Sequence, residues 1–562
     1  MLYCINNNSS KILDICPYDV IVVGSGATGG IAALTLAKQG LKVLVIEAGP
    51  LKERKKASSN EPADSINRLR GIITEKHKNQ SQHPGYWKNN PNLYADEKKF
   101  PYITPEDKPF LWTQGNQYGG RSLTWGGITL RFSHSDFQPS MRDQYGPDWP
   151  INYEDLAEHY DYIEKFIGIY GRKDNIQQVP DGCYIGQIPL TDSELFFGKK
   201  VKEELNYPFI QSRGFDKNAS IKEKDWPRSS SIGSSFNEAI KTGNVQILTN
   251  HLVESFETNS ETELATKIKV INTINGSKKY LNCELIILCA STIATLRILL
   301  NSKRETHNKG FNDPSGKLGK YLMDHISICK FFSIPEFHPN KDIRSIKDGN
   351  LSGAGSFFIP FGSELPNKNE IDFLRGYGTW GAIDRFGVPR FLQRNPTESV
   401  GFLISHGEVL SKESNKIELS DRVDEWDIPI PKISFMWRDN ELKMVQHMKK
   451  TIRESIEVVG GEIRNVDEIY KIPFIKKLTS KSIATSDNPP PPGYYIHEVG
   501  GARMGNNEET SVVDNRNRLW RCKNVIVADG SCWPTSSWQS PTLTMMAICR
   551  RACLNIRKHY LE

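Results

Sequence analysis

The sequence predicts an α/β fold, α+β overall, in which a domain on a parallel sheet is combined with a second, mostly antiparallel β-sheet domain covered by helices. Three observations predict it. Residues 18–50 have the pattern of a strand, a glycine turn, a helix and a strand, which is the order of a parallel βαβ unit. A further apolar strand at 284–288 leads through a turn of small residues into a helix at 292–300. Residues 330–475 alternate short strands with turns, which is typical of an antiparallel domain.

The glycine turn of the first unit has the features of a dinucleotide site. Gly24 permits the tight turn, Gly26 lets a pyrophosphate approach the backbone, and Gly29 lets the helix pack against the strand. Glu47 ends the second strand roughly 20 residues further on, where a carboxylate can accept hydrogen bonds from a ribose 2′-OH. A glycine-rich turn in an ordinary βαβ unit is the alternative, but it does not explain why the glycines and the carboxylate occur together. We therefore expect a Rossmann-type nucleotide-binding domain, with the first-turn N–H groups facing the phosphates.

Length and charge exclude other classes of protein. A chain of 562 residues is too long for one ordinary core, so two large lobes are expected. The net charge of +6 is mild for this length and favours neither a nucleic-acid groove nor a polybasic membrane patch. Because the sequence contains no run of 18 or more apolar residues, it predicts no membrane span.

The cysteines and the N-terminus favour a cytoplasmic protein. The ten cysteines have no CxxC spacing, so no zinc or iron–sulfur site is predicted and the thiols are expected to be reduced and mostly buried. Residues 1–17 are polar and lack the basic and apolar regions of a signal peptide.

The domain organisation follows from these patterns. We expect an N-terminal extension at 1–17, a nucleotide-binding domain at 18–329, a substrate-binding domain at 330–475, and a return to the first domain at 476–562. Within the first domain, the charged residues 51–110 predict a surface excursion or lid, and residues 136–240 are expected to lie partly on the substrate side. The remaining predicted elements are a helix at 151–170, a strand at 245–249, a β-meander around 266–281, and a helix at 442–459.

Four further segments carry a family resemblance. They are Gly-Gly-Arg-Ser-Leu-Thr-Trp-Gly-Gly at 119–127, Leu-Gly-Lys-Tyr-Leu-Met-Asp-His at 318–325, His-Glu-Val-Gly-Gly-Ala-Arg-Met-Gly at 497–505, and Ser-Pro-Thr-Leu-Thr at 540–544. With the N-terminal glycine turn, they resemble the glucose–methanol–choline (GMC) family of flavin oxidoreductases, in particular its branch of sugar-acid and sugar dehydrogenases and pyranose oxidases. The resemblance is clear at both ends of the chain and vague across 51–110 and 330–475.

The resemblance implies the GMC fold, a Rossmann-type FAD-binding domain and the oxidation of an alcohol C–OH. In that reaction a base takes the hydroxyl proton while the hydride of the carbon goes to flavin N5. His497 occupies the position of the family's catalytic histidine, and imidazole suits a base that works near neutral pH. Asp324 and His325 belong to the mid-chain signature and are expected to brace the two lobes.

The second catalytic position departs from the family pattern. Family members usually carry Asn or His just before the final helix, where this chain has Ser540. Three alternatives are open: Ser540 acts through a shorter reach or a water, Gln539 or a side chain from the substrate domain replaces it, or catalysis is slow or specialised. Trp538 is a further candidate as a sugar-stacking wall, and His406 as a residue that lines the substrate pocket.

The resemblance also assigns cofactor-binding residues. They are Gly24, Ser25, Gly26, Thr28, Gly29, Glu47, Ala48, Gly120, Arg121, Thr124, Trp125, Gly126, Gly127, Val253, Asp529, Gly530, Pro541, Thr542 and Leu543. The amides after Pro541 begin a helix that is expected to point at the flavin O2, where negative charge develops on reduction. Some pyranose oxidases attach flavin through a histidine at the position of Thr124, so we predict non-covalent FAD here.

The leading hypothesis is an FAD-dependent alcohol dehydrogenase or oxidase. Its expected substrate is a sugar, sugar acid, polyol or sugar-containing metabolite, and its expected electron acceptor is O2 or another carrier. Two alternatives are kept: a flavin-dependent isomerase or lyase on the same scaffold, which the departure at Ser540 motivates, and a nucleotide-binding subunit of a larger complex. The sequence leaves the particular substrate and the choice between oxidase and dehydrogenase open.

Overall fold

The computed structural model describes residues 17–54, 62–215, 226–304, 309–335, 349–366, 371–471, 486–554 and 556. The predicted N-terminal extension, apart from its last residue, lies outside the described residues, as do residues 55–61 of the predicted excursion.

Strands occur throughout the described chain. In chain order they are β1 Val20–Val23, β2 Val43–Ile46, β3 Ile210–Gln211, β4 Val245–Leu248, β5 His251–Thr258, β6 Ala265–Asn272, β7 Lys278–Asn282, β8 Ile286–Leu288, β9 Lys320–Met323, β10 Ile326–Ile334, β11 Phe357–Gly362, β12 Tyr377–Ile383, β13 Ser399–Gly407, β14 Lys416–Val423, β15 Pro429–Ser434, β16 Glu462–Ile463, β17 Val499–Gly501, β18 Arg518–Leu519 and β19 Cys522–Val527.

The α-helices are also distributed along the described chain. They are α1 Ala27–Lys38, α2 Pro62–Ile73, α3 Pro84–Lys88, α4 Pro139–Asp143, α5 Glu154–Ile167, α6 Asp192–Leu205, α7 Asn237–Lys241, α8 Thr292–Asn301, α9 Asp439–Glu457, α10 Val466–Ile469 and α11 Thr542–Leu554. The helices predicted at 151–170, 292–300 and 442–459 correspond to α5, α8 and α9.

The first six-stranded sheet has the order β18-β19-β8-β1-β2-β4. Strands β19, β8, β1, β2 and β4 run parallel. Strands β1, β2 and β8 are apolar and buried along their whole length, as expected for a parallel sheet that is covered on both faces. Because parallel strands end at the same edge, Gly24 after β1, Glu47 after β2, Ala290 shortly after β8 and Asp529 shortly after β19 come together. These four residues line one cavity.

The second six-stranded sheet is antiparallel and has the order β16-β10-β13-β12-β11-β3. Strands β10, β13 and β12 pair over nearly their whole length. Helix α9 packs on β10 and β13. Parallel and mostly antiparallel sheets in one chain confirm the predicted fold class.

Two smaller sheets complete the fold. Strands β5, β6 and β7 form the predicted β-meander, which is confirmed. The other sheet has the order β15-β14-β9-β17, and its pair β9–β17 is antiparallel, with Met323 opposite Val499. Since β9 ends at Met323 and β17 begins at Val499, this pairing brings the residues just after β9 next to those just before β17.

No helix among the described residues is both long enough and apolar enough to cross a membrane.

Candidate active site

A cavity of ≈ 640 Å³ extends from the edge of the parallel sheet to one face of the antiparallel sheet. Most of the site residues predicted from the sequence line it: Gly24, Ser25, Gly26, Thr28, Glu47, Ala48, Gly120, Arg121, Thr124, Trp125, Gly126, Gly127, Val253, Asp529, Pro541, Thr542, His497 and Ser540. Six do not: Gly29, Gly530, Leu543, Gln539, Trp538 and His406. Part of the predicted excursion, residues 83–85, 88, 89, 94, 100 and 101, also lines the cavity.

The three glycines of the first turn are required for different reasons. Gly24 has φ +96°, and a Cβ there would lie 2.4 Å from the Cys289 carbonyl oxygen. A Cβ on Gly29 would lie 2.0 Å from the Gly24 carbonyl oxygen. A Cβ on Gly26, in contrast, would meet no protein atom within 4 Å, and this residue lines the cavity. Gly24 and Gly29 thus permit packing within the protein, whereas Gly26 leaves room for a group in the cavity.

Glu47 is buried against the same turn. Its Oε2 accepts hydrogen bonds from the Ser25 peptide N–H (3.0 Å) and hydroxyl (2.5 Å), and its Oε1 accepts one from the Gly49 N–H (2.8 Å). Burial raises the pKa of the Glu47 carboxyl. The carboxylate therefore holds the turn in place, and its contact with a ribose remains a prediction.

His497 is held from two sides. Its peptide N–H donates to Asp324 Oδ1 (2.9 Å), and its ring Nδ1 lies 2.9 Å from Nδ1 of His325. The other ring nitrogen of His325, Nε2, lies 2.8 Å from the carbonyl oxygen of Ser537. We call His325 and His497 the histidine pair. The mid-chain signature contained His325 but gave no indication that it contacts His497, because the two are 172 positions apart.

The bonding partners fix the protonation of both rings. A carbonyl oxygen only accepts, so His325 Nε2 carries a proton. In neutral His325 the Nδ1 atom is then bare and accepts the bond from His497 Nδ1–H. Neutral His497 therefore has no proton on Nε2, and this atom has no hydrogen-bond partner among the described residues.

Electrostatics keep the histidine pair neutral. Burial lowers the pKa of His497 well below its usual range, and the neighbouring His325 and His406 lower it further. Burial also lowers the pKa of His325 to about 4. The nearby Asp324 carboxyl has a pKa raised to about 7, chiefly by burial and then by the charge of Glu498.

Arg121 and Glu498 form an ion pair at the cavity. Arg121 Nη1 lies 2.8 Å from Glu498 Oε2, and its Nη2 donates to the Ser291 hydroxyl (2.6 Å). The second carboxylate oxygen, Glu498 Oε1, is buried and has no hydrogen-bond partner among the described residues. Sequence reasoning missed Glu498, although it directly follows His497. A bound molecule with a hydroxyl or N–H donor would satisfy this oxygen.

At the second catalytic position, the structure places Ser540 and not Gln539 at the cavity. Gln539 is fully buried. Its Nε2 donates to Asp136 Oδ2 (2.7 Å) and to the Gln178 carbonyl oxygen (3.2 Å), and its Oε1 accepts from the Ser537 hydroxyl (2.5 Å). These bonds hold the amide away from the cavity.

The other two candidate substrate residues lie behind the cavity surface. Trp538 is buried and packs against Phe358, with ring centroids 6.3 Å apart. His406 is buried, its Nδ1 lies 2.9 Å from the Tyr495 hydroxyl oxygen, and its ring stacks on that of Tyr495. Tyr495, which the sequence did not single out, lines the cavity.

The residues around the cavity fit FAD. The space beside Gly26 is suited to a pyrophosphate. The Glu498 oxygen that lacks a hydrogen-bond partner among the described residues can accept from a donor on the cofactor. The N-terminus of α11, at Pro541 and Thr542, lines the cavity and presents helix N–H groups. The fold and the site thus define an FAD-binding protein.

Comparisons with known proteins agree. The sequence profile of an FAD binding domain matches residues 19–60, and that of the GMC oxidoreductase family matches residues 411–549. The chain is 25% identical to 2-methyl-1,2-propanediol dehydrogenase from Mycolicibacterium austroafricanum, over 95% of this chain and 94% of that protein. It is 23% identical to the fructose dehydrogenase large subunit from Gluconobacter japonicus, over 95% and 96%.

Solved structures share the fold. Pyridoxine 4-oxidase from Mesorbium loti superposes with a TM-score of 0.61 at 15% identity, over 96% of this chain and 99% of that chain. Formate oxidase from Aspergillus oryzae RIB40 gives 0.61 at 16% identity, over 96% and 98%. The GMC oxidoreductase match over residues 411–549, the FAD-binding match over residues 19–60 and the full-length relatives support the GMC family, and the chain is an FAD-dependent oxidoreductase. The predicted family and cofactor are confirmed.

Proposed function

We propose that the protein oxidises an alcohol C–OH to a carbonyl, with Nε2 of His497 as the base that takes the hydroxyl proton. One observation carries the assignment of the base. Because His325 donates its Nε2–H to the Ser537 carbonyl oxygen, its Nδ1 accepts a hydrogen bond from His497 Nδ1–H. The Nε2 atom of His497 is therefore unprotonated, and the His497 ring lines the cavity. FAD, when bound, supplies the two-electron acceptor of this reaction.

The other residues position the reactants. Asp324 holds the backbone of His497 through the peptide N–H, and the His325 ring fixes the orientation of the His497 ring. Ser540 lines the same cavity, and we propose that its hydroxyl donates a hydrogen bond to the substrate oxygen. The residues assigned to FAD from the sequence remain proposals, as does its non-covalent attachment at a site that contains Thr124.

The relatives differ in the substrates that their names state. Two relatives are named for sugar-type substrates: the fructose dehydrogenase large subunit from Gluconobacter japonicus and paromamine 6'-oxidase from Streptomyces fradiae. A third, 2-methyl-1,2-propanediol dehydrogenase, is named for an aliphatic diol. A sugar, sugar acid, polyol or sugar-containing metabolite as the substrate therefore remains a prediction. The electron acceptor, O2 or another carrier, and a cytoplasmic location remain predictions too. The alternatives of an isomerase, a lyase or a nucleotide-binding subunit without its own catalysis are not favoured, because the full-length relatives are named as dehydrogenases and oxidases, one of them as the large subunit of a dehydrogenase.

Product balance under anaerobic conditions tests the proposed function. The FAD-loaded protein is mixed with primary and secondary alcohols without an acceptor, and reduced flavin and carbonyl product are counted. We expect one carbonyl per reduced FAD. Product that accumulates while the flavin stays oxidised would identify an isomerase or lyase instead.

The neutrality of the histidine pair predicts an unusual pH profile. A base must be unprotonated to act, and the lowered pKa of both rings keeps them neutral well below the ordinary imidazole pKa of about 6.5. The rate of flavin reduction should therefore be flat as the pH falls through 6.5 and should be lost near the pKa of His325, about 4. Stopped-flow measurements across this range check it. Because the Asp324 carboxyl has a pKa of about 7, an acid limb near 6.5 that persists in Asp324→Asn would show that the histidine at work is not held as described.

Substitution of His325 tests its positioning role. His325→Leu removes the acceptor for His497 Nδ1–H and should lower kcat by about tenfold to hundredfold with little change in KM, because a buried donor loses its partner. His325→Gln should restore part of the rate, since its amide can both donate to Ser537 and accept from His497. The matched control is His159→Leu, because His159 is a buried histidine whose pKa is also lowered to about 4 and which does not line the cavity. Equal losses in the two leucine variants would mean that His325 is merely structural.

A further inference from the structure

We infer that the substrate carries an apolar body beside the hydroxyl that is oxidised, where a free sugar would carry further hydroxyls. This inference rests on the proposed function and names the substrate class of the same site. The observation behind it is the face that the antiparallel sheet turns toward the cavity.

The strand register places five apolar side chains on that face. Residues directly opposite each other in an antiparallel sheet point to the same side. Ile404 of β13 is opposite both Cys329 of β10 and Trp380 of β12, and Phe402 is opposite Phe331. All five line the cavity. We call Cys329, Phe331, Trp380, Phe402 and Ile404 the apolar wall.

The apolar wall is continuous. The Phe402 ring centroid lies 4.8 Å from that of Trp380 and 6.2 Å from that of Phe331. Cys329 contributes no charge, because burial raises the pKa of its thiol to about 12. Four residues of the apolar wall are only half-buried, namely Cys329, Phe331, Trp380 and Ile404. Part of each side chain is therefore accessible to a bound molecule.

The apolar wall leads away from the catalytic end of the cavity. The next residue pair along β10 and β13 is Ser327 opposite His406. The ring of His406 stacks on Tyr495 at 4.8 Å, and the ring of Tyr495 lies 4.8 Å from that of His497. An alcohol whose hydroxyl reaches His497 can therefore extend its body along the apolar wall.

The chemistry of this face disfavours a free sugar. A hydroxyl that leaves water for an apolar surface without a partner weakens binding by about 5- to 150-fold. Two polar groups belong to this face, the Ser327 hydroxyl and the Trp380 indole N–H, and the latter has no hydrogen-bond partner among the described residues. The other polar groups near it, His83, Lys88 and Asn89, line the cavity from residues 83–89 and not from the sheet. His83 Nδ1 and Asn89 Nδ2 are already bonded within the protein, to the Gly85 N–H (2.9 Å) and the Thr124 carbonyl oxygen (3.2 Å).

A homologous series of alcohols tests the inference. The FAD-loaded protein is mixed anaerobically with straight-chain 1-alkanols from ethanol to octanol, and with D-glucose and D-gluconate. We expect kcat/KM for flavin reduction to rise about fourfold per methylene, which corresponds to about 0.8 kcal/mol per buried CH₂, and both sugars to react more slowly than octanol. Faster reduction by either sugar than by octanol would overturn the inference and leave the proposed function standing. Failure of every compound to reduce the flavin would overturn both.

A binding measurement that needs no turnover complements the series. The probe is 2-phenylpropan-2-ol, a tertiary alcohol that has no hydrogen on its carbinol carbon and so is not oxidised. It should raise the Tm of the FAD-loaded protein, and Phe331→Ala should reduce that rise while FAD stays bound. Phe391→Ala, at a phenylalanine that is 72% exposed, is the matched control and should keep the full rise. No rise in the unaltered protein, or equal rises in the two variants, would contradict an apolar site.

Discussion

Replacement of His497 with alanine should slow flavin reduction by an alcohol by about 10²- to 10⁴-fold, the usual contribution of a general base. The variant loses His497 Nε2, the one ring nitrogen of the histidine pair that is neither protonated nor hydrogen-bonded to a described residue. The residues proposed to hold FAD are unchanged. Anaerobic stopped-flow spectroscopy measures the rate, and the flavin-to-protein ratio shows that the cofactor is retained.

His134→Ala is the control for the His497 substitution. The His134 side chain is 64% exposed and lies 3.0 Å from Glu154, and it does not line the cavity. Its removal should leave the rate unchanged. A His497→Ala variant that reduces its flavin at a rate close to that of the unaltered enzyme would require another base.

Gly24→Ala should abolish FAD retention. The added Cβ would lie 2.4 Å from the Cys289 carbonyl oxygen at a residue with φ +96°, so the turn cannot keep its shape. The turn carries Ser25 and Gly26 to the cavity. The ratio of flavin to protein after purification measures the effect.

Gly40→Ala is the control for Gly24→Ala, because it introduces the backbone strain of a positive φ without a steric clash. Gly40 has a similar φ, +85°, but a Cβ there would meet nothing within 4 Å. The control should cost about 1–2 kcal/mol of stability and keep its FAD. Full FAD retention in Gly24→Ala, or loss in both variants, would show that the shape of this turn is not what holds the cofactor.

Local sequence patterns predicted the elements of the fold that depend only on residues close together in the chain. The strand–turn–helix–strand unit of residues 18–50 needs only apolar periodicity and the steric freedom of Gly24, so its position could be read directly. The β-meander and helices α5, α8 and α9 follow from periodicity in the same way. The C-terminal segment that contains His497 carried enough specific residues to indicate the family and FAD.

Contacts between distant segments could not be predicted in this way. The bond between His325 and His497 depends on the pairing of β9 with β17, which no local pattern specifies. The orientation of Gln539 depends on Asp136, 403 positions away, so the sequence could not decide between Gln539 and Ser540 at the cavity. The apolar wall exists only in the register of β10, β12 and β13, and a shift of one residue would turn Phe331 and Ile404 to the other face.

The central claim, oxidation of an alcohol at FAD, is tested most directly by anaerobic mixing of the FAD-loaded enzyme with 1-octanol and with 1-octanol deuterated at its carbinol carbon. We predict that the absorbance of oxidised flavin disappears, that it disappears more slowly with the deuterated alcohol, and that one octanal forms per FAD. Flavin that stays oxidised with 1-octanol, with the other alkanols and with the sugars, although it remains bound and chemically reducible, would contradict the claim.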